Sequence, residues 1–208
     1  MYIVKINKNM VSISYNSPIP FNSPGGIRDK VKSFSRQSRS RLLKFIMGHE
    51  KPEYMLTLTF PDWLNITCVK FKDFKRKFEK FLIRNQIDYI YKIEFTKKQI
   101  PHIHYLIYHH AGPDYIDKNK IKLFILSLFV KNFELNNFQV NKIMKFQLDD
   151  RIFTKVDNMD VAMYYSFYVS KSKKKEYQNI VPESYSIRFW GYSSGIKLYK
   201  ITSEIFIE

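Results

Sequence analysis

Two neighbouring stretches, Tyr89-Ile-Tyr-Lys-Ile-Glu-Phe-Thr96 and His102-Ile-His-Tyr-Leu-Ile-Tyr108, decide how the rest of the chain is read. Successive side chains of a strand point to opposite faces. Tyr91, Ile93 and Phe95 therefore share one face of the first stretch, and Lys92, Glu94 and Thr96 share the other. Lys97–Pro101 is a turn between them, so the pair is predicted to form a hairpin. His102 and His104, two residues apart, then project from one face of the second strand, and Glu94 lies on the polar face of the strand beside them. Imidazole is the commonest nitrogen ligand for a divalent cation. Two His and one carboxylate with open positions suit Mn²⁺ or Mg²⁺ better than a closed structural zinc site. The competing reading of the pair alone, two solvated histidines on an amphipathic strand, gives way once Glu94 is counted. His49, His109 and His110 read as surface or loop residues.

Outward from the hairpin, elements alternate irregularly. Ile27–Gly48 reads as a helix with a stripe of Val31, Phe34, Leu42, Leu43, Phe45 and Ile46. Met55–Phe60 is a strand stopped by Pro61, and Val69–Asn85 places Phe71, Phe74, Phe78, Phe81 and Leu82 at helical intervals. Ile116–Phe133 is a helix and Phe138–Leu148 a strand. Asp157–Lys171 is a helix opened by Asp157 or Asn158, and short strands follow near Ile187–Gly191 and Ile196–Ile205. A central hairpin among alternating helices and strands predicts an α+β fold with a largely antiparallel sheet. Residues 1–26 are expected to form an N-terminal strand and loop segment, ending in the Pro- and Gly-rich Asn16–Gly26, and residues 27–208 a single domain.

The chain has 208 residues and a net charge of +16, with 15 Tyr, 18 Phe and 2 Trp. At 45% apolar residues it has material for a core, which excludes a disordered basic tail. The surplus of cations marks a binder of polyanions, nucleic acid first. One cysteine, Cys68, excludes an intramolecular disulfide framework. No N-terminal stretch reads as a signal peptide, and the apolar run Ile121–Val130, broken by Lys122 and Ser127, is too short to span a bilayer. The expected setting is a soluble protein of the cytoplasm.

In Val161-Ala-Met-Tyr-Tyr-Ser-Phe-Tyr-Val-Ser-Lys171, helical geometry puts Tyr164, Tyr168 and Lys171 on one side. A core-facing aromatic stripe has the same spacing. The chemical reading is a row of two phenols and an ammonium. A Tyr nucleophile at neutral pH needs a cation or metal nearby, since phenol titrates near 10. Lys171 and a metal on His102 and His104 would meet that need.

Together these features resemble the HUH endonucleases, and more narrowly the rolling-circle replication initiators (Rep proteins) of bacterial plasmids and single-stranded DNA phages. Met55-Leu-Thr-Leu-Thr-Phe60 is similar to their first motif, and Pro101-His-Ile-His-Tyr-Leu-Ile107 to the metal-binding motif, with Glu94 on the strand before it. Tyr164-x-x-x-Tyr168-x-x-Lys171 is similar to the motif of the two-tyrosine initiators, with Phe167 where a Lys often stands. Phe34-Ser-x-x-Ser-x-x-Arg-Leu42 and Arg188-Phe-Trp-Gly191 resemble flanking segments of the group. The resemblance implies a five-stranded, mostly antiparallel sheet with flanking helices, an RRM-like palm, and no helicase domain. It implies catalytic Tyr168, Tyr164 and Lys171, and Mn²⁺ or Mg²⁺ on His102, His104 and Glu94. Tyr168 would nick single-stranded or hairpin origin DNA, leaving a 5′-phosphotyrosine and a 3′-hydroxyl that primes synthesis with a host helicase and polymerase. Arg36, Arg39, Lys72, Lys75 and Lys173–Lys175 are cations that could track the DNA backbone. Two alternatives keep part of this reading: an HUH relaxase or single-strand transposase, and a non-catalytic single-stranded nucleic-acid-binding module.

Overall fold

The computed structural model describes residues 2–7, 10–15, 31–49, 51–109, 113–156, 178, 180–196 and 203–207. The expected helix Asp157–Lys171, and with it Tyr164, Tyr168 and Lys171, lies outside the described residues. The loop Asn16–Gly26, His110 and Lys173–Lys175 lie outside them too.

The hairpin is present. Strand β4 (Ile87–Phe95) pairs antiparallel with β5 (Pro101–His109), Ile87 facing His109 at one end and Phe95 facing Pro101 at the other. The turn closes through Thr96 N–H to the Ile100 carbonyl at 2.9 Å, while Thr96 Oγ1 accepts from Ile100 N at 3.1 Å. Gln99 takes a positive φ of 61° to complete it. Strand β3 (Tyr54–Thr59) lies along the other side of β5, with β6 (Phe153–Lys155) outside it, and β7 (Trp190–Tyr192) flanks β4. The order is β6-β3-β5-β4-β7, and every pairing is antiparallel. A second sheet joins the two ends of the sequence: β1 (Tyr2–Asn7) pairs with both β2 (Met10–Tyr15) and β8 (Ser203–Ile207).

Helices cover both faces of the five-stranded sheet. Helix α2 (Cys68–Arg84), capped by Thr67, buries Phe71, Phe74, Phe78 and Leu82, the stripe its sequence predicts. Phe78 meets Tyr105 of β5 edge-on at 5.3 Å, so α2 lies on the face opposite His102 and His104. Phe60 sits among Phe71, Phe74 and Phe129, which ties α2 to α3 (Lys118–Phe133). On the histidine face, α1 (Arg36–Met47) stacks Phe45 on Tyr192 at 4.3 Å and packs it against Trp190 at 5.7 Å. Among the described residues no helix is long and apolar enough to cross a membrane.

Four boundaries differ from the sequence reading. Helix α1 begins at Arg36 and not at Ile27, because the Ser35 hydroxyl accepts from Ser38 N at 3.2 Å and caps it there. Before the cap, Ser33 bridges to Ile180 in extended conformation. The stretch Phe138–Leu148, expected as a strand, is helix α4 (Asn137–Gln147). Its start is set by a reciprocal capping box in which Asn136 Oδ1 accepts from Gln139 N and Gln139 Oε1 accepts from Asn136 N. The strand that does follow, β6, is three residues long and went unpredicted. The late strands Ile187–Gly191 and Ile196–Ile205 shift to Trp190–Tyr192 and Ser203–Ile207. If the capping box is what selects helix, Asn136→Ala should cost about 1 kcal/mol. Urea unfolding checks this: the midpoint should fall with the slope unchanged.

Candidate functional site

Register builds the site. Glu94 stands opposite His102, and Lys92 opposite His104, while on the other side of β5 Thr59 faces His102 and Thr57 faces His104. Two rows result on one face of the sheet, Thr59–His102–Glu94 and Thr57–His104–Lys92, and Trp190 of β7 extends the second. The imidazole centroids are 4.4 Å apart. Thr59 Oγ1 lies 2.6 Å from His102 Nδ1, and Thr57 Oγ1 lies 3.1 Å from His104 Nδ1. A hydroxyl both donates and accepts, so each threonine can hold its ring with the proton on either nitrogen. With Nδ1–H donating to the threonine, Nε2 carries the lone pair that a metal needs. His104 Nε2 lies 3.6 Å from Glu94 Oε2, and the Lys92 ammonium donates to Glu94 Oε1.

Burial sets the charges. It is the main cause that depresses His102, helped by His104, to a pKa of about 3, so that ring is neutral at neutral pH. For Glu94 burial works the other way, but His104 and the Lys92 charge outweigh it and hold the carboxyl at about 2. Burial also lowers Lys92, against the pull of Glu94. Among the described residues no three His, Cys, Asp or Glu side chains form a ready-made metal cage. One carboxylate oxygen is committed to Lys92 and the other faces His104. Two nitrogens and a shared carboxylate suit an exchangeable Mn²⁺ or Mg²⁺ in chemistry and charge.

His102, His104, Glu94 and Thr59 line a cavity of about 350 Å³, together with Lys97 of the hairpin turn and Gln178. The two flanking segments meet behind it. Phe34 stacks on Phe189 at 5.2 Å, Trp190 Nε1 donates to Ser38 Oγ at 3.0 Å, and Arg39 Nε donates to the Phe34 carbonyl at 3.0 Å. The Lys92 ammonium lies 5.4 Å from the centre of the Phe34 ring. Gly191 is required there, since a Cβ would fall 2.8 Å from the Tyr91 ring.

Sequence reasoning gave Thr57, Thr59 and Lys92 no role. The available signal was two threonines two apart, matching two histidines two apart on a strand that pairs with theirs. Gln178 and Lys97 carried no such pattern. Lys75, grouped with the DNA-tracking cations, turns inward: it pairs with Glu79 at 2.6 Å and lies 3.6 Å over the Tyr91 ring. Arg36 and Lys72 are exposed. His109 ends β5 with its ring stacked on Tyr115, and the His49 ring packs on Phe45.

These charges predict an acid response. Unfolded His102 takes up a proton near 6.5 and the folded residue only near 3, so stability falls as pH drops below 6.5. Glu94 adds its own loss only below 4.5, down to about 2. Each pH unit inside a group's window costs up to about 1.4 kcal/mol. In EDTA, thermal melting should therefore decline from 6.5 to 4.5, and His102→Gln should flatten that decline. An unchanged slope in the variant would show that His102 titrates as an ordinary histidine.

Residues 53–173 match a family model of replication-associated proteins, the ORF2 type. No curated protein and no solved structure matches the chain. The matched segment runs from β3 across the Thr, Glu and His rows and on through Tyr164, Tyr168 and Lys171, more than half of the sequence. A family of replication proteins also accounts for the surplus of cations, because its business is with DNA. On that match the chain belongs to the ORF2-type family of replication-associated proteins.

Proposed function

We propose that the protein initiates rolling-circle replication by nicking and rejoining single-stranded or hairpin origin DNA. The observation that carries this reading is the neutral His102 beside His104 and Glu94 in one cavity, in a chain of a replication family. His102, His104 and Glu94 would hold Mn²⁺ or Mg²⁺. When bound, the metal supplies Lewis-acid polarisation of the scissile phosphate. Lys97 is the exposed cation at the cavity, placed to meet a neighbouring phosphate.

Tyr168 attacks phosphorus: its phenolic oxygen bonds to the phosphate, the P–O3′ bond breaks, and the 3′ oxygen leaves with a proton as a hydroxyl. Lys171, one helical turn from Tyr168 by its spacing, stabilises the phenolate as it forms. Attack by a later 3′-hydroxyl, or by Tyr164 on a second strand, resolves the 5′-phosphotyrosine. The 3′-hydroxyl primes a host polymerase behind a host helicase in the bacterial cytoplasm. Relaxases and single-strand transposases share this chemistry, and the replication-family match favours the initiator.

Incubation with labelled single-stranded hairpins and Mn²⁺, followed by a denaturing gel, tests the reading. A covalent adduct is expected with the natural chain. Tyr168→Phe should eliminate it, and Tyr164→Phe should leave first cleavage within about tenfold, roughly 1.4 kcal/mol of barrier. DNA found by mass spectrometry on Tyr164 alone would reverse the assignment. The double change His102→Ala/His104→Ala should abolish the adduct while leaving much of the DNA affinity.

That affinity should itself fall steeply with salt, given the net charge of +16. Each neutralised phosphate adds roughly 0.7 to the log–log slope for single strands. Binding measured over a series of NaCl concentrations should show it, and a flat line would contradict a polyanion partner.

A further inference from the structure

Lys92 has no part in the chemistry above, yet it is the most deeply buried charge of the site. It is 1% exposed and does not line the cavity, so it cannot touch DNA as the protein stands. Its ammonium donates to Glu94 Oε1, and Glu94 is its one carboxylate partner among the described residues. Phe34 lies over it, and Phe34 is in turn stacked on Phe189. Arg39 is near enough to add more positive potential. Lys92 thus acts on the cavity only through Glu94 and through its charge.

We propose that Lys92 is a charge-setting residue that keeps divalent-cation binding weak in the free protein and couples it to the arrival of a substrate phosphate. This rests on His102, His104 and Glu94 being the metal ligands. With neutral imidazoles, Glu94 and Lys92 cancel, so a divalent cation enters a site with no net charge to receive it. Two histidines and an unpaired glutamate would offer it one negative charge. Like charges a few ångströms apart in a dry interior repel strongly. A phosphodiester in the cavity brings the missing negative charge and relieves that repulsion. The linkage is reciprocal: whatever DNA does for metal affinity, metal does equally for DNA affinity. A metal bound firmly only alongside DNA would confine cleavage competence to the loaded complex.

The alternative role for Lys92 is orientation, with its hydrogen bond aiming the Glu94 carboxylate. Two variants separate charge from orientation. Lys92→Met fills the same space with neither charge nor donor, and Lys92→Gln keeps an amide donor for Glu94 without the charge. The measurement is Mn²⁺ affinity of the full chain, read from the EPR signal of unbound Mn²⁺, with and without oligo-dT. Thermal melting checks that each variant is folded.

For the natural chain, oligo-dT should tighten Mn²⁺ binding about tenfold, within the usual range of allosteric coupling. Both Lys92 variants should bind Mn²⁺ about tenfold tighter than the natural chain without DNA, and lose most of the gain from oligo-dT. Weaker binding by Lys92→Met with natural affinity in Lys92→Gln would assign Lys92 to orientation and overturn the proposal. Natural affinity in both folded variants would overturn it as well. A His102→Ala/His104→Ala protein that binds Mn²⁺ as tightly as the natural chain would instead refute the ligand assignment, and the role of Lys92 with it.

Discussion

The antiparallel register between β4 and β5 is the constraint on which the site depends. It sets Glu94 against His102 and Lys92 against His104, and a slip of one residue would turn all four side chains to the opposite face. That face is filled by Phe78, Tyr89, Tyr91 and Tyr105, where a displaced ammonium or carboxylate would lose its partner. Breaking a buried ion pair by stranding one member costs roughly 3–5 kcal/mol. The polar residues therefore enforce the register that brings them together. The turn fixes it from the other end, through Gln99 in its left-handed conformation and the Thr96 hydroxyl.

Much of this was legible in the sequence, for physical reasons that differ by element. The hairpin was legible because two strands in a row alternate, and α2 because four phenylalanines fall at helical spacing over its length. The HUH-like pair and Glu94 came together as the strand period required. Helix α4 was not legible: Phe138 and Val140 fit a two-residue period, and the deciding information is the Asn136–Gln139 box ahead of them. Strand β6 is too short to have a period at all.

Lys92 was hidden for another reason. A lysine alternating with apolar residues reads as solvated, and only the covering of that face by Phe34 and by the β7 segment makes it a buried charge. Segments 34–42 and 188–191 looked like separate flanking features, yet they stack and hydrogen-bond to each other behind the site. No local pattern reports a contact across 152 positions of sequence, which is the separation of Trp190 from Ser38. The tyrosine row remains a reading from helical spacing, since it lies outside the described residues.

The five-stranded sheet is long in the middle and short at its rims. Strands β4 and β5 have nine residues each, whereas β6 and β7, the two outer strands, have three. Outer strands display unpaired backbone groups that recruit other chains, and shortening them removes the template. Strand β7 is also pinned from both faces, by the Tyr91 ring against Gly191 and by the Trp190 bond to Ser38. A chain this rich in tyrosine, phenylalanine and isoleucine thus gives its neighbours almost no backbone ledge to extend from, and this sheet's recognition of other molecules falls to side chains.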